Sequence, residues 1–387
     1  MRSPQDSSHF TLYTSTMKQL VKAIVWITAT LGTQLASSAQ DIGVNFNGVF
    51  TQIDQGDLLR TRTKWIRGFV DYFELKTGAQ KLIGNAGLAK LHTAHIAGYK
   101  TIINVKFNFE KRNLPTTSAA IQQELNFLNK LLSAVYQDCD ILVAGNEPFI
   151  ESKMDQRDSR LSNFYIAVAR KVNAFIESQP KRVPLYVGSF DNIWKTSWQT
   201  VASTALLQFA NSSSWIAGID LHIHHTQMSD IDSAFAYVNP KIRQDQKILV
   251  TEFSLKNLWK EHLKDPIPTP LAKDYKRPSS WLIYEYLNYT IHHPVSREEW
   301  VSFLSNCSWF ESNKKYVTEA WAKFKAQPKF SMATYGMYQN APEAFTATTD
   351  PWILNPLFVN TTVLRDPKTN LIQTNYAFFD EFLAIHP

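Results

Sequence analysis

The run Ile141-Leu142-Val143-Ala144-Gly145-Asn146-Glu147-Pro148 carries four apolar residues, a glycine, and then an amide, a carboxylate and a proline. A short apolar run bounded by turn formers fits a strand buried on both faces, as in a parallel sheet. A carboxylate placed directly after it stands where a buried strand emerges. The arrangement recurs at Ile248-Leu249-Val250-Thr251-Glu252-Phe253-Ser254. Two such strand ends need a frame that brings them to one place.

Working outward from these two runs, β-branched and aromatic stretches predict strands near 41–46, 64–70, 100–107, 140–145, 183–189, 216–222, 247–252 and 330–335. Helical patterns lie between them. Ile121, Leu125, Leu128, Leu132 and Val135 form one apolar stripe, and Leu161, Phe164, Val168, Val172 and Phe175 form another. Ser296-Arg297-Glu298-Glu299 has capping-box spacing and predicts a helix start. Eight strands alternating with helices predict an α/β fold, a closed (β/α)8 TIM barrel. The interval between strands 7 and 8 is far longer than the rest. Its 255–295 stretch holds Pro266, Pro268, Pro270 and Pro278 in its first half, which reads as a loop over the barrel mouth. No internal repeat or linker divides residues 40–387, so they read as one domain.

The chain has 387 residues, 40 Lys and Arg against 34 Asp and Glu, and 13% aromatics. Charged residues are 19% of the chain, below the ~25% usual in soluble domains, which excludes a disordered chain. No Lys/Arg run forms a nucleic-acid patch. G-x-G-x-x-G, Walker A, H-E-x-x-H, paired C-x-x-C and G-x-S-x-G are all absent, so dinucleotide, P-loop, zincin and α/β-hydrolase chemistries lack their motifs. Cys139 and Cys307 are too few for a disulfide framework and read either as one bridge or as two buried thiols. Met17, Lys18, Lys22, the apolar Ala23 to Leu31 and the small Ala36-Ser37-Ser38-Ala39 follow the order of a secretory signal peptide. Residues 1–39 are therefore expected to be an upstream extension and leader. A secreted or periplasmic monomer without stable membrane insertion is expected from them.

The two strand ends together resemble the clan A retaining glycoside hydrolases. That superfamily of (β/α)8 barrels carries Asn-Glu, often Asn-Glu-Pro, after strand 4 and a second Glu after strand 7. Asn146-Glu147-Pro148 and Thr251-Glu252-Phe253 match both. Gly218-Ile219-Asp220-Leu221-His222-Ile223-His224-His225 is similar to the clan's Asp-x-His-x-Tyr strand, with His224 where Tyr is common. Trp65-Ile66-Arg67-Gly68-Phe69 offers an Arg where many members keep one beside the nucleophile, and the tail from Trp352 to Phe382 looks like the clan's last loop and helix. The chain departs from the clan at strand 8. Many members end it in Trp, where this sequence reads Ser331-Met332-Ala333-Thr334-Tyr335-Gly336. Met, Tyr or an aromatic from a loop must fill that place.

The resemblance implies a retaining β-glycoside hydrolase acting on a poly- or oligosaccharide without cofactor or metal. An endo-β-glycanase is favoured, and an exo-acting β-glycosidase is the alternative. Such chemistry needs a protonated acid and an ionised nucleophile about 5–5.5 Å apart. Glu147 is then the acid/base and Glu252 the nucleophile. Asn146, Arg67, His222, His224, Tyr335, Trp259 and Trp309 are the implied substrate-binding residues. Lys106 and Asn108 follow strand 3 and could reach the sugar. Two readings of other classes stand beside this one: a glycan-binding barrel without catalysis, and a metal-dependent hydrolase using His222, His224 and His225.

Overall fold

Eight parallel strands close on themselves in chain order in the computed structural model, which describes residues 40–77 and 81–386. They are β1 (Asp41–Asn45), β2 (Trp65–Asp71), β3 (Lys100–Lys106), β4 (Ile141–Ala144), β5 (Leu185–Asp191), β6 (Gly218–His224), β7 (Lys247–Ser254) and β8 (Phe330–Gly336). β8 pairs with β1, from Asp41 opposite Met332 to Asn45 opposite Gly336. Helices alternate with the strands, so the fold is a TIM barrel. The expected leader lies outside the described residues. Among the described residues no helix is long and apolar enough to cross a membrane.

The helices form where periodicity and caps agree. Ser118–Val135 starts at Thr117, whose hydroxyl accepts from the Ala120 N–H, and it buries Leu128, Leu131, Leu132 and Val135. Ser159–Glu177 starts at Asp158, and the whole stripe from Leu161 to Phe175 is buried. Ser296 caps Arg297–Ser305 by accepting from the Glu299 N–H at 3.2 Å. The reciprocal half of the box is missing because Glu299 binds the Arg277 guanidinium at 2.7 and 2.8 Å.

Strand alternation divides the packing into two cores. Outward-facing residues join the helices in one large apolar cluster. Inward-facing Ile102, Ile141, Val143, Tyr186, Leu249 and Met332 fill the barrel floor, with Trp65 against them. Above that floor the interior turns polar, through Asn45, Arg67, Asn104, Ser189, Asp220, Thr251 and Thr334, all buried.

The segment between β7 and β8 departs from expectation. It is helical, with Lys256–Glu261, Thr269–Asp274, Ile283–His292, Arg297–Ser305, Ser308–Glu311 and Tyr316–Lys325. The prolines read as loop markers have other places. Pro270 sits in the first turn of its helix, where a missing N–H costs nothing, and Pro266 bridges to Leu282. Cys139 and Cys307 are both free and buried, which settles the choice left open by the sequence in favour of two thiols.

Candidate active site

β4 ends at Ala144, and the chain turns through Gly145 with φ 124°. A Cβ there would fall 2.0 Å from the Gly188 carbonyl oxygen, so only glycine fits. Glu147 follows with φ 42°, in the left-handed region uncommon for a side-chain-bearing residue. Its Oε1 accepts from His222 Nδ1 at 2.9 Å.

Glu252 arrives by a different device. Leu249 and Thr251 face the barrel interior, so strict alternation would send Glu252 outward. The pairing of β6 with β7 shifts register between Leu221 and His222, and His222 then stands opposite Glu252. A bulge of this kind re-aims a side chain. Here Thr251 and Glu252 both serve the interior, and Phe253 resumes the outer packing against Phe324 and Tyr335.

Arg67 joins the parts. It is fully buried, and its Nη1 contacts Glu252 Oε1 and donates to Asn45 Oδ1 at 3.1 Å. Its Nη2 donates to Asn146 Oδ1 at 2.7 Å and lies 3.2 Å from His222 Nε2, and its Nε donates to Asn104 Oδ1 at 3.1 Å. Below it, the buried Asp220 accepts from Ser189, from Asn104 Nδ2 at 3.0 Å, and from the Thr251 hydroxyl and amide at 2.6 and 3.1 Å. The Thr251 hydroxyl proton is thus committed to Asp220. Its oxygen can accept from His222 Nε2 at 3.1 Å, while Arg67 Nη2, which can only donate, competes for the same ring nitrogen at 3.2 Å. Whichever contact Nε2 makes, Nδ1 shares a proton with Glu147 across 2.9 Å.

The electrostatics follow from this arrangement. Burial pushes Glu252 up, but the charges of His222, Arg67 and His224 outweigh it and hold the carboxyl well below the ordinary range. Burial likewise opposes ionisation of Glu147, and the His222 hydrogen bond and charge bring it down. Burial disfavours the His222 cation, yet Glu252 and Glu147 raise it above the ordinary histidine value. The free site therefore favours an ionised Glu252 beside Arg67 and a His222 ring that shares its proton with Glu147.

Glu147, His222, His224 and Glu252 each place one ligating atom within 4.8 Å of the others, so an oxygen of each glutamate lies within that distance of the other. Their side chains keep 18% and 15% exposure, enough for a ligand to reach both. His224 Nδ1 is held by the Ser254 hydroxyl at 2.8 Å, while Nε2 makes no hydrogen bond and lies 3.9 Å from Glu147 and 3.7 Å from Glu252. The same four donors could be read as a metal set. Arg67 already supplies the positive charge there, in contact with His222 and Glu252, and a dication would face it at contact distance. His225 does not join them. It bonds the Gln227 carbonyl at 2.7 Å and the Tyr316 hydroxyl at 3.0 Å, and burial lowers it to about 4. The triad His222, His224 and His225 is not assembled.

Three residues expected at the site lie elsewhere. Trp259 is fully buried between Phe310 and Phe378, so it packs the core. Tyr335 follows the inward Thr334 and therefore points outward, where it is buried and its hydroxyl donates to Asn355 at 2.9 Å. Trp309 stacks on His262 at 5.0 Å inside the insertion. An aromatic that does border this cluster is Trp352. It comes from the loop after β8, meets His224 edge to face at 4.7 Å and carries Lys256 Nζ 4.6 Å from its ring centre.

Two further carboxylates border the site. Glu151 accepts from Asn146 Nδ2 at 2.9 Å and pairs with Lys106 at 2.5 Å; burial, aided by the Glu147 charge, pushes it up to about 8. Lys106 is thus engaged by Glu151. Asp191 at the end of β5 is raised to about 6 by burial, with the charge of His224 opposing. The spacing Glu147 to Glu151, one helical turn, was the only sequence signal for the first. Asp191 had none beyond its place at a strand end.

No protein-family profile and no curated protein sequence matches the chain. Solved structures do resemble it. A glycoside hydrolase family 10 endoxylanase from a sugarcane soil metagenome superposes with TM-score 0.52 and 11% identity, over 89% of this chain and 96% of its own. A psychrophilic family 10 endo-β-1,4-xylanase superposes with TM-score 0.50 and 11% identity, over 89% of this chain and 96% of its own. At such identity the likeness is one of barrel architecture.

Proposed function

We propose that this chain is a retaining β-glycoside hydrolase that cleaves a poly- or oligosaccharide internally. The observation that carries the proposal is the approach of a Glu147 oxygen to a Glu252 oxygen within 4.8 Å. Retaining enzymes keep their carboxyls about 5–5.5 Å apart, whereas inverting ones need about 6.5–9.5 Å to admit a water.

In the first step Glu252 attacks the anomeric carbon. The bond to the leaving oxygen breaks, and the proton of the Glu147–His222 pair passes through Glu147 to that oxygen. In the second step Glu147 takes a proton from water, whose oxygen attacks the same carbon and releases Glu252. Charge stays balanced throughout. Before attack, the ionised Glu252 cancels Arg67 and the Glu147–His222 pair is neutral. After attack, Glu252 is an ester, and the deprotonated Glu147 cancels Arg67. No net charge is created in a buried site, where an unpaired ion is costly. The His224 Nε2 and the remaining Asn146 N–H are placed to bind sugar hydroxyls. The leader read in residues 1–39 supports secretion or periplasmic placement of the mature 40–387 domain, which acts as a monomer in this reading.

Glu252→Gly should abolish turnover, and azide should restore it with formation of an α-glycosyl azide. Glu147→Ala should spare aryl glycosides with good leaving groups far more than natural glycans. Normal turnover by Glu252→Gly, or equal loss on both substrate types by Glu147→Ala, would remove the assigned roles.

A further inference from the structure

A cavity of about 490 Å³ opens over the ends of β1 and β2, and its walls include Asn47, Gly48, Phe69, Asp71, Glu74 and Asn340. None of the catalytic groups lines it, yet it is tied to them. Asn45 Nδ2 donates to Asn47 Oδ1 at 2.7 Å, and Asn45 Oδ1 accepts from Arg67, which holds Glu252. Phe69 forms the shared wall. Arg67 Cζ lies 5.7 Å from its ring centre and Lys106 Nζ lies 4.5 Å from it. The ring stays partly exposed on the cavity because residue 48 is glycine. A Cβ there would fall 2.5 Å from Phe69 Cε2.

An apolar ring among amides and carboxylates suits the C–H face and hydroxyl rim of a pyranose. The charges narrow the choice. Asp71 and Glu74 line the cavity, and among the described residues no lysine or arginine does. Lys106, beside Phe69, is held by Glu151. A uronate here would meet like charge without a partner, an arrangement that discriminates against it.

We infer that this cavity is a binding subsite for neutral sugar units of the glycan, next to the cleavage point on the β1–β2 side. The inference rests on the glycosidase reading and adds two things to it: the substrate chain continues past the catalytic pair, and its units there carry no carboxylate. A site that extends this way favours internal cleavage over removal of a terminal sugar.

The test uses the mature enzyme and neutral β-linked gluco-, xylo- and manno-oligosaccharides of increasing length, with uronate-bearing oligosaccharides beside them. Wild-type kcat/KM should rise with length on a neutral series and stay low where uronates would enter the cavity. Gly48→Leu fills the space beside Phe69. It should cut the ratio of long to short substrate kcat/KM by at least about tenfold, the size of effect one lost apolar contact gives. Asn340→Ala should lower the same ratio and serves if Gly48→Leu fails to fold. Glu74→Lys should raise turnover of uronate-bearing chains. If wild type cleaves neutral glycans but these variants keep its length dependence, the subsite assignment fails and the glycosidase reading survives. If wild type prefers uronate-bearing chains, the neutrality argument fails. If it cleaves no glycan, both readings fall together.

Discussion

Arg67 uses every nitrogen of its guanidinium inside the barrel, on Glu252, Asn45, Asn146, Asn104 and the His222 ring. Removing one partner of a buried ion pair leaves the other charge uncompensated and costs about 3–5 kcal/mol. Arg67→Met should lose stability of that order in denaturant titrations. The variant should also change pH behaviour in a defined direction. Glu252 is ionised in the fold well below its ordinary 4.5. Its contribution to stability is present above that value and is lost as pH falls through the folded one. Without the Arg67 charge the folded value rises, so acid unfolding and the acidic limb of kcat/KM should both move to higher pH. An acidic limb that stays in place would mean Arg67 does not set the charge of Glu252. At this scale the sequence was legible where a motif named the residue. The Asn-Glu-Pro run and the Glu after Thr251 were visible, and so was Arg67. Glu151 and Asp191 were not, because burial beside Glu147 and against Lys106 and His224, which come from other strands, is what sets their character.

The strands were legible because a buried parallel strand is a continuous apolar run, and all eight lie within a few residues of their expected places. What a strand does with its last inward position was harder to read. On β8, Met332 packs the barrel floor, so Thr334 and Gly336 also face inward and Tyr335 cannot. Parity alone would have removed Tyr335 from the site. On β7, parity alone would have misled, because the register shift against β6 turns Glu252 inward beside Thr251. The helices of the insertion were hidden by four prolines, two of which occupy a first helical turn or a bridge end. These placements separate the aromatics by function. Trp259→Ala should cost about 3–5 kcal/mol of stability as a core truncation and leave KM nearly unchanged. Trp352→Ala should lower kcat/KM while leaving the unfolding midpoint close to wild type. If the two variants exchange phenotypes, the loop after β8 does not supply the aromatic of the cleavage site.

The described residues from Asp41 onward form a closed barrel whose interior changes character from floor to mouth. Apolar side chains fill the bottom, a hydrogen-bonded layer centred on Arg67 and Asp220 lies above them, and the carboxylates stand at the rim. The polar layer makes the rim precise, since it fixes Arg67, the His222 ring and Asn146 through buried partners. Architecture was legible from alternation of strand and helix. The layering was not, because it depends on which alternate residues share a level across eight strands. Double displacement requires that Glu147 and Glu252 stand about 5–5.5 Å apart. Proton NMR of the first sugar released by wild-type enzyme from a β-linked glycan tests it directly. Double displacement releases the β-anomer first, with the α-anomer appearing only by mutarotation, and initial release of the α-anomer would contradict it.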